Sequence, residues 1–395
     1  MRISSNMIYQ KGVGAMQLQT ANLLHTQQQV STGRRILTPA DDPIASARAL
    51  ELGQSRSINQ QFQQNIAYAG DNLRLLEGKL AGIEDMIQYN RERIIQAGND
   101  ALSDTDLGFI ASDLRAQFDS LLAIGNTRDG QGEYLFAGYK SQQQPFVGGL
   151  NGVSYAGDQG ERSIQVSASR FMPISAPGEK LFNSVSLANG GLYGFNGQDN
   201  TGTGSVSLSY NPAPPDPATL GRRYEVSFDG ANYTVTELQR GNPTPVAVTT
   251  GPGPTLSLPG VDLTVAGAPA AGDSFEVMVA STNVFDNAAM FVDALERPGS
   301  ASMTDMVAFG LNTTDAFQDA TLTFRAQVGA QLGELDQLNS LGEDLDLQYA
   351  DTISRLEDLD YVEAISRLTQ QQTYLQAAQQ SFMRVSNLSL FNFLN

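Results

Sequence analysis

The sequence predicts an α+β multidomain fold in which a long antiparallel helical and coiled-coil bundle, formed by the N- and C-terminal regions, carries an inserted all-β domain. Apolar residues recur every three or four positions between Ile58 and Ile87, and again between Leu338 and Leu359. Such spacing puts the side chains on one stripe of a helix. Between Tyr134 and Ala280 the period changes to two, and glycine and proline become frequent. Alternation of that kind indicates strands joined by turns.

Composition narrows the class of function. The chain has 395 residues, enough for two or three domains. A net charge of −18 argues against nucleic acid as a partner and disfavours an anionic membrane surface. No apolar run reaches membrane-spanning length. The opening residues lack the apolar region of a signal peptide, so simple Sec secretion is not expected and another export route stays open.

The same composition offers few of the side chains that commonly serve in catalysis. The chain has no cysteine, which excludes disulfides and thiolate chemistry. Its one histidine, His25, lies in a polar helical context without an evident carboxylate partner, and we interpret it as a solvated helix residue. We therefore expect a protein that is not an enzyme, with no catalytic residues, no cofactor and no metal.

The first helix is predicted over residues 1–32, with a weak apolar stripe interrupted by Gly12 and Gly14. A break follows, in which Asp42 before Pro43 is typical of an N-cap with proline at the first helical position. A long helix should run from there to about residue 98. The pair Asp41–Asp42 could also serve metal or acid–base chemistry, but no third carboxylate or histidine stands nearby, and we favour capping. The predicted linker and cap residues are Gly33, Arg34, Asp41, Asp42 and Pro43.

Further helices are expected from Asp104 or Thr105 to about Gly125, and from Val284 to Leu295. The helix of the C-terminal half should begin near Asn312 and should be the partner of the helix that ends at Gly125. A thin outer pair, roughly residues 1–32 and 360–395, has too small a core for independent stability, and we expect it to fold on assembly.

Strands are predicted in the centre at 205–210 and 274–279, and a hairpin spans 224–236 around Asp229-Gly230. The glycines of 190–197 lack the spacing of a phosphate loop and favour a flexible surface loop. The segment to about residue 182 reads as a small β-flap against the helices, and 183–282 as a separate β-domain.

The apolar residues of the outer helices form the predicted assembly interface. They are Met7, Leu23, Leu24, Val30, Leu368, Leu375, Phe382, Val385, Leu388, Leu390, Phe391 and Leu394.

Two segments resemble the flagellin superfamily. Ser31-Thr32-Gly33-Arg34-Arg35-Ile36 with Ala40-Asp41-Asp42-Pro43 is similar to its N-terminal segment, and Ser354 to Ala364 is similar to its C-terminal counterpart. Within the superfamily the chain most resembles the hook–filament junction family, hook-associated protein type 3. The opening Met1-Arg2-Ile3-Ser4, the segment Gly132 to Gly138, and the ending Asn387 to Leu394 are the residues that resemble this family. Leu359 and Val362 are bulkier than the small residues usual there.

The resemblance implies a domain organisation. Residues 1–42 and 355–395 would form an inner coiled-coil domain, 43–182 and 283–354 a rod-like helical domain with the β-flap, and 183–282 an outer β-domain.

It also implies a function. The chain would be a structural subunit of the bacterial flagellum that polymerises through its terminal helices and adapts the hook to the filament. Its partners would be further copies of itself, the first junction protein (hook-associated protein type 1), flagellin and a cytoplasmic export chaperone, with no nucleic acid and no membrane. It would be extracellular, exported by the flagellar type III apparatus. Two alternatives stay open: flagellin itself, or a type III-secreted coiled-coil adhesin or translocator.

Overall fold

The computed structural model describes residues 5–99, 101–211, 219–240, 246–297 and 299–391. The helices in this part are α1 (Ser5–Thr32), α2 (Pro43–Ala97), α3 (Asp104–Gly125), α4 (Val284–Glu296), α5 (Met303–Glu357) and α6 (Tyr361–Phe391). Helix α2 begins at Pro43, as the sequence predicts.

The strands lie between α3 and α4. The β-flap consists of β1 (Phe146–Gly149), β2 (Gly152–Tyr155), β3 (Ser163–Ser167) and β4 (Arg170–Pro173). The β-domain consists of β5 (Leu192–Asn196), β6 (Ser205–Tyr210), β7 (Arg222–Phe228), β8 (Tyr233–Glu237), β9 (Val246–Gly251), β10 (Thr255–Leu258), β11 (Val261–Ala266) and β12 (Ser274–Val279). Long terminal helices with an inserted set of strands confirm the predicted α+β class.

The chain divides into two compact units. Unit 1 contains Met1–Gln64 and Leu338–Asn395, and unit 2 contains Asn65–Gln337. Helices α2 and α5 each contribute residues to both units. The three-part division expected from the sequence stays a prediction.

Unit 1 is built from two antiparallel helix pairs. Helix α1 packs along α6, with the amide of Gln19 donating to the carbonyl of Gln371 at 3.4 Å. The rings of Tyr9 and Phe382 lie 5.1 Å apart near the other end of this pair. The first part of α2 packs along the last part of α5, where Arg56 forms a two-point ion pair with Asp346 at 2.9 and 3.0 Å.

Unit 2 has a helical core. The predicted α2 stripe is buried between residues 66 and 87, from Ile66 (6% exposed) to Ile87 (2%). Helix α3 packs mainly on α4, which corrects the prediction that its partner is the C-terminal helix. That helix, α5, reaches the same core through Met306 and Phe309.

Helix α5 also begins at Met303, nine residues before the predicted Asn312. The Oγ of Ser302 accepts a hydrogen bond from the backbone N–H of Asp305 at 3.2 Å and donates to its carboxylate at 2.7 Å. This local cap starts the helix before Gly310, which favours a break by propensity alone.

Phenylalanines join the β-flap to the helices. The rings of Phe146 and Phe182 lie 5.0 Å apart, and each lies within 5.5 Å of the ring of Phe285 on α4. A methyl group at Gly125 would come within 2.9 Å of the Phe146 ring, so a glycine at the end of α3 leaves room for it. Buried aromatic area of this size fixes the flap on the helices.

The β-domain is a two-sheet sandwich. Its five-stranded sheet has the order β5-β12-β7-β8-β9, and its three-stranded sheet the order β10-β11-β6, with all pairings antiparallel. The predicted hairpin is present, with Phe228 opposite Tyr233.

The segment 190–197 corrects the prediction of a flexible loop. Its residues 192–196 form strand β5, paired with β12. A methyl at Gly194 would lie 2.8 Å from Val206, so this glycine permits a close approach of β5 and β6.

Candidate assembly surfaces

The linker between α1 and α2 is organised by two adjacent aspartates with different roles. The carboxylate of Asp42 accepts a hydrogen bond from the N–H of Ala45 at 3.0 Å, which is the geometry of an N-cap before Pro43. The carboxylate of Asp41 accepts from the N–H groups of Leu37 and Thr38 at 2.9 and 2.8 Å. These bonds hold the pKa of both carboxyl groups below the ordinary value, and nearby Arg35 adds to the effect at Asp42.

The linker pairs with the connection between α5 and α6. The N–H of Arg35 donates to the carbonyl of Glu357 at 2.6 Å, and the N–H of Leu359 donates to the carbonyl of Gly33 at 3.0 Å. Gly33 has a positive φ of 73°, which disfavours any residue with a side chain. Arg34 lies opposite Asp358 in this pairing. Hydrogen bonds therefore join the two connections into one unit, which we call the linker cluster.

Sequence reasoning missed a second helix cap in this linker cluster. Asp360 accepts hydrogen bonds from the N–H groups of Val362 and Glu363 at 2.9 and 3.2 Å, and so caps α6. An aspartate directly before a helical run was the available signal.

His25 has a carboxylate neighbour that the sequence did not reveal. Its Nε2 lies 3.6 Å from Asp41 Oδ1, with both side chains partly exposed. The loop from residue 33 returns Asp41 to the side of α1, a contact between residues 16 positions apart. This geometry corrects the interpretation of His25 as a residue without an acidic partner.

The α1–α6 pair brings together part of the predicted assembly interface. Leu23, Val30, Leu368, Leu375 and Phe382 are partly buried, whereas Met7 and Leu24 are about half exposed. The side chains of Val385, Leu388, Leu390 and Phe391, and the whole of Leu394, lie outside what the structure describes. A single pair of helices leaves its apolar stripe half covered.

Unit 1 also exposes apolar residues that the sequence analysis did not select. On α2, Ile44 is 83% exposed and Leu50 77%; on α5, Leu347 is 71% exposed. Val362 at the start of α6 is 82% exposed. Large exposed apolar side chains on one unit make it a candidate interaction surface.

In unit 1, polar side chains lie between α2 and α5 near Asn59 and Gly342. The amide of the buried Asn59 donates to the carbonyl of Gly342 at 2.7 Å, and Gln60 donates to Asp346 at 3.0 Å. Ile58 and Leu341, which the periodicity placed inside, are 45% and 55% exposed. In this stretch polar contacts join the two helices, and part of the apolar stripe is exposed.

The described residues hold no group of three or more His, Cys, Asp or Glu side chains close enough to bind a metal ion. In the same part of the chain, no helix combines the length and apolarity needed to cross a membrane.

Comparison with known proteins agrees with this architecture. Residues 3–141 match the bacterial flagellin N-terminal helical region, and residues 197–279 match the D2-like domain of flagellar hook-associated protein 1. The chain is 30% identical to flagellar hook-associated protein 3 of Escherichia coli (strain K12) over 391 residues, which cover 99% of both chains. It belongs to the flagellar hook-associated protein 3 family.

Solved structures of hook-associated protein 3 (FlgL) have the same fold. FlgL of Xanthomonas campestris is 28% identical, with a TM-score of 0.55, over 77% of this chain and 99% of that one. The flagellar junction protein FlgL of Legionella pneumophila is 27% identical, with a TM-score of 0.52, over 79% of this chain and 100% of that one. The chain is thus a structural protein of the flagellar hook–filament junction, and flagellin is a relative.

Proposed function

We propose that this hook-associated protein 3 polymerises through unit 1 and thereby adapts the hook to the filament. The observation that carries the proposal is the half-covered apolar stripe of α1 and α6, extended by Ile44, Leu50 and Leu347. Covering one large apolar side chain stabilises by about 1.5–3 kcal/mol, less the entropy of ordering it. Because the contact repeats in every subunit, modest gains add up along an array.

The interface residues predicted from the sequence remain part of this proposal. Met7, Leu24 and Phe382 would contact neighbouring copies, together with the residues of the last helix that the sequence selected. The linker cluster around Gly33, Asp41 and Asp42 would hold α1 and α6 in the orientation that neighbouring copies of the chain bind.

The distribution of charge supports unit 1 as the assembling part. Unit 1 contains nine Lys and Arg against eleven Asp and Glu, whereas unit 2 contains fifteen against thirty-one. Nearly all of the net charge of −18 therefore lies in unit 2. Copies that meet through unit 1 bring together surfaces of almost no net charge, while those of unit 2 repel one another.

The remaining partners are proposed on the family relationship. The first junction protein (hook-associated protein 1) would lie on the hook side, flagellin on the filament side, and a cytoplasmic chaperone would cover the C-terminal helix before export. We propose export through the flagellar type III apparatus to the extracellular junction. The structural character of the relatives supports a role without catalysis.

The test uses a strain that lacks the gene, examined by electron microscopy and by an assay for flagellin in the medium. We expect hooks without filaments, with flagellin released as monomer. Normal filaments would reject the junction role and favour a redundant flagellin or a secreted adhesin.

Complementation tests the proposed surface. Leu347→Asp on the unit 1 part of α5 should give a folded, exported protein that fails to restore filaments, because it places a charge in the contact between copies. Leu322→Asp is the matched control: Leu322 lies on the same helix in unit 2 and is 42% exposed. Restoration of filaments by both variants would exclude this face from the interface.

A further inference from the structure

A buried ion pair lies where the β-domain meets the connection between α4 and α5, all within unit 2. Arg223 on β7 donates from Nε to Oε1 of Glu276 on the neighbouring strand β12. The two side chains are 2% and 0% exposed. Two charges this far from water are costly unless their remaining donors and acceptors are also bonded.

The α4–α5 connection supplies those further bonds. Arg223 Nη1 donates to the carbonyl of Arg297 at 3.0 Å, and the N–H of Ala301 donates to Glu276 Oε2 at 3.2 Å. The connection also pairs with the β-domain backbone, since the N–H of Gln198 donates to the carbonyl of Ser300 at 2.8 Å. Arg297 and the residues 299–301 thus lie directly against the ion pair.

Gly299 is the residue that allows this close approach. A methyl group at this position would lie 2.8 Å from Arg223 Nη2 and closer still to Glu276 Oε2. Nη2 is buried and has no hydrogen-bond partner among the described atoms. The connection therefore approaches the ion pair more closely than any residue with a side chain would permit.

An apolar pair of the same volume would stabilise this site at least as well, because burying two charges costs as much as their attraction returns. The ion pair adds directional bonds: Arg223 Nη1 and Glu276 Oε2 each bind one backbone atom of the connection. Nη1 also lies 3.5 Å from a carboxylate oxygen of Asp293 on α4. We propose that the Arg223–Glu276 pair fixes the β-domain in one position on the helical core by binding the backbone of Arg297 and Ala301. This ion pair lies within a single copy of the chain, so the proposal does not depend on the proposed assembly.

Hydrogen–deuterium exchange of the full-length monomer tests this. Two peptides report on it: 297–303 covers the connection, and 224–235 covers the core of the β-domain. In Glu276→Gln we expect exchange of 297–303 to rise about tenfold or more, since the buried charge of Arg223 is then balanced only by the more distant carboxylate of Asp293, at 3.5 Å. The matched control is Glu161→Gln, which removes the exposed ion pair with Lys180 in the same unit and should leave both peptides unchanged.

The double variant Arg223→Met with Glu276→Leu separates specificity from packing. We expect the 224–235 peptide to stay as protected as in the wild type while 297–303 exchanges fast. Wild-type protection of both peptides in the double variant would overturn the proposal, because space filling alone would then hold the connection. Unchanged exchange in Glu276→Gln would overturn it as well.

Gly299→Ala keeps both charges and disturbs only the close approach of the connection to the ion pair. It therefore tests the proposal even if the charge variants fail to fold. We expect fast exchange at 297–303 with a protected β-domain core. Protection at 297–303 equal to that of the wild type would show that the connection is held without the close approach, against the proposal.

Discussion

Asp42 caps α2 through its carboxylate. Substitutions can test the hydrogen bond of this cap separately from the negative charge of the side chain. Asp42→Ala leaves the N–H of Ala45 without its partner, so we expect the first turn of α2 to open roughly fivefold more often. Asp42→Asn should retain most of the cap, because asparagine accepts the same bond. Exchange of a peptide covering 43–50 measures both. Asp351→Ala is the control, since it removes only an exposed pair with Arg355; an equal effect there would contradict the capping role.

The same carboxyl gives this effect a pH dependence. Its pKa is lowered in the folded chain, chiefly by the hydrogen bond from Ala45. A lowered pKa stabilises the folded state above the ordinary value of about 3.9 and loses that contribution as the pH falls through the folded value. The difference between wild type and Asp42→Ala should therefore become smaller in acid, down to the part of the cap that a neutral acceptor such as asparagine retains.

Tyr155 of the β-flap gives the opposite sign at high pH. Its hydroxyl lies 2.8 Å from the carbonyl oxygens of Phe136 and Asp158, and burial raises its pKa to about 12. The folded state holds this proton more tightly, so the contribution is complete below about pH 10 and is lost towards pH 12. A rapid pH-jump titration by ultraviolet absorbance, comparing wild type with Tyr155→Phe, should show one tyrosine ionising near pH 12. If the ionisation that Tyr155→Phe removes lies near pH 10 instead, the hydroxyl is solvated.

At the scale of the element, the two glycines of α1 have different surroundings. Gly14 has open space around it, so Gly14→Ala should stabilise α1 by about 0.8–1 kcal/mol through helix propensity. A methyl at Gly12 would lie 2.8 Å from the ring of Phe382, so Gly12→Ala should lose this gain by displacing the ring from Tyr9. Exchange of α1 peptides in the monomer compares the two variants. An equal gain at both positions would mean that α1 and α6 do not pack through Phe382.

Elements whose signals are local could be predicted from the sequence. Asp42 before Pro43 identified the start of α2, and Asp229-Gly230 identified the hairpin of β7 and β8. Strand β5 could not be identified in this way, because its glycines suit a loop and its pairing with β12 joins residues about 80 positions apart. The start of α5 was missed although the cap at Ser302 is also a local signal, because Asn312 is a residue type that caps helices as well.

The candidate surface was predicted only in part, and the physical reason is the helix periodicity itself. A stripe shows that apolar residues share a face, and it does not show what covers that face. Ile66 and Ile58 lie on the same stripe of α2, yet Ile66 is buried within unit 2 and Ile58 is exposed in unit 1. The buried Asn59 accounts for part of the difference, since its amide binds the carbonyl of Gly342 on α5 while the neighbouring Ile58 stays exposed.

At the scale of the whole molecule, the position of the net charge outside the proposed assembling unit predicts how assembly responds to salt. The net charge lies almost entirely in unit 2, whereas the exposed apolar helix residues Ile44, Leu50 and Leu347 lie in unit 1. Raising the ionic strength from about 0.01 M to 0.15 M shortens the screening length from about 30 Å to 8 Å. Repulsion between copies then falls, while the apolar contacts are preserved.

We therefore expect the concentration at which the protein self-associates, measured by sedimentation velocity, to fall as salt rises. Leu347→Asp should remain monomeric at both ionic strengths, because screening cannot replace a lost apolar contact. If association instead weakened with salt, ion pairs between copies would be the main attraction. The near-neutral charge of unit 1 would then reflect opposite charges that meet across the interface, and the apolar face would not be what drives assembly.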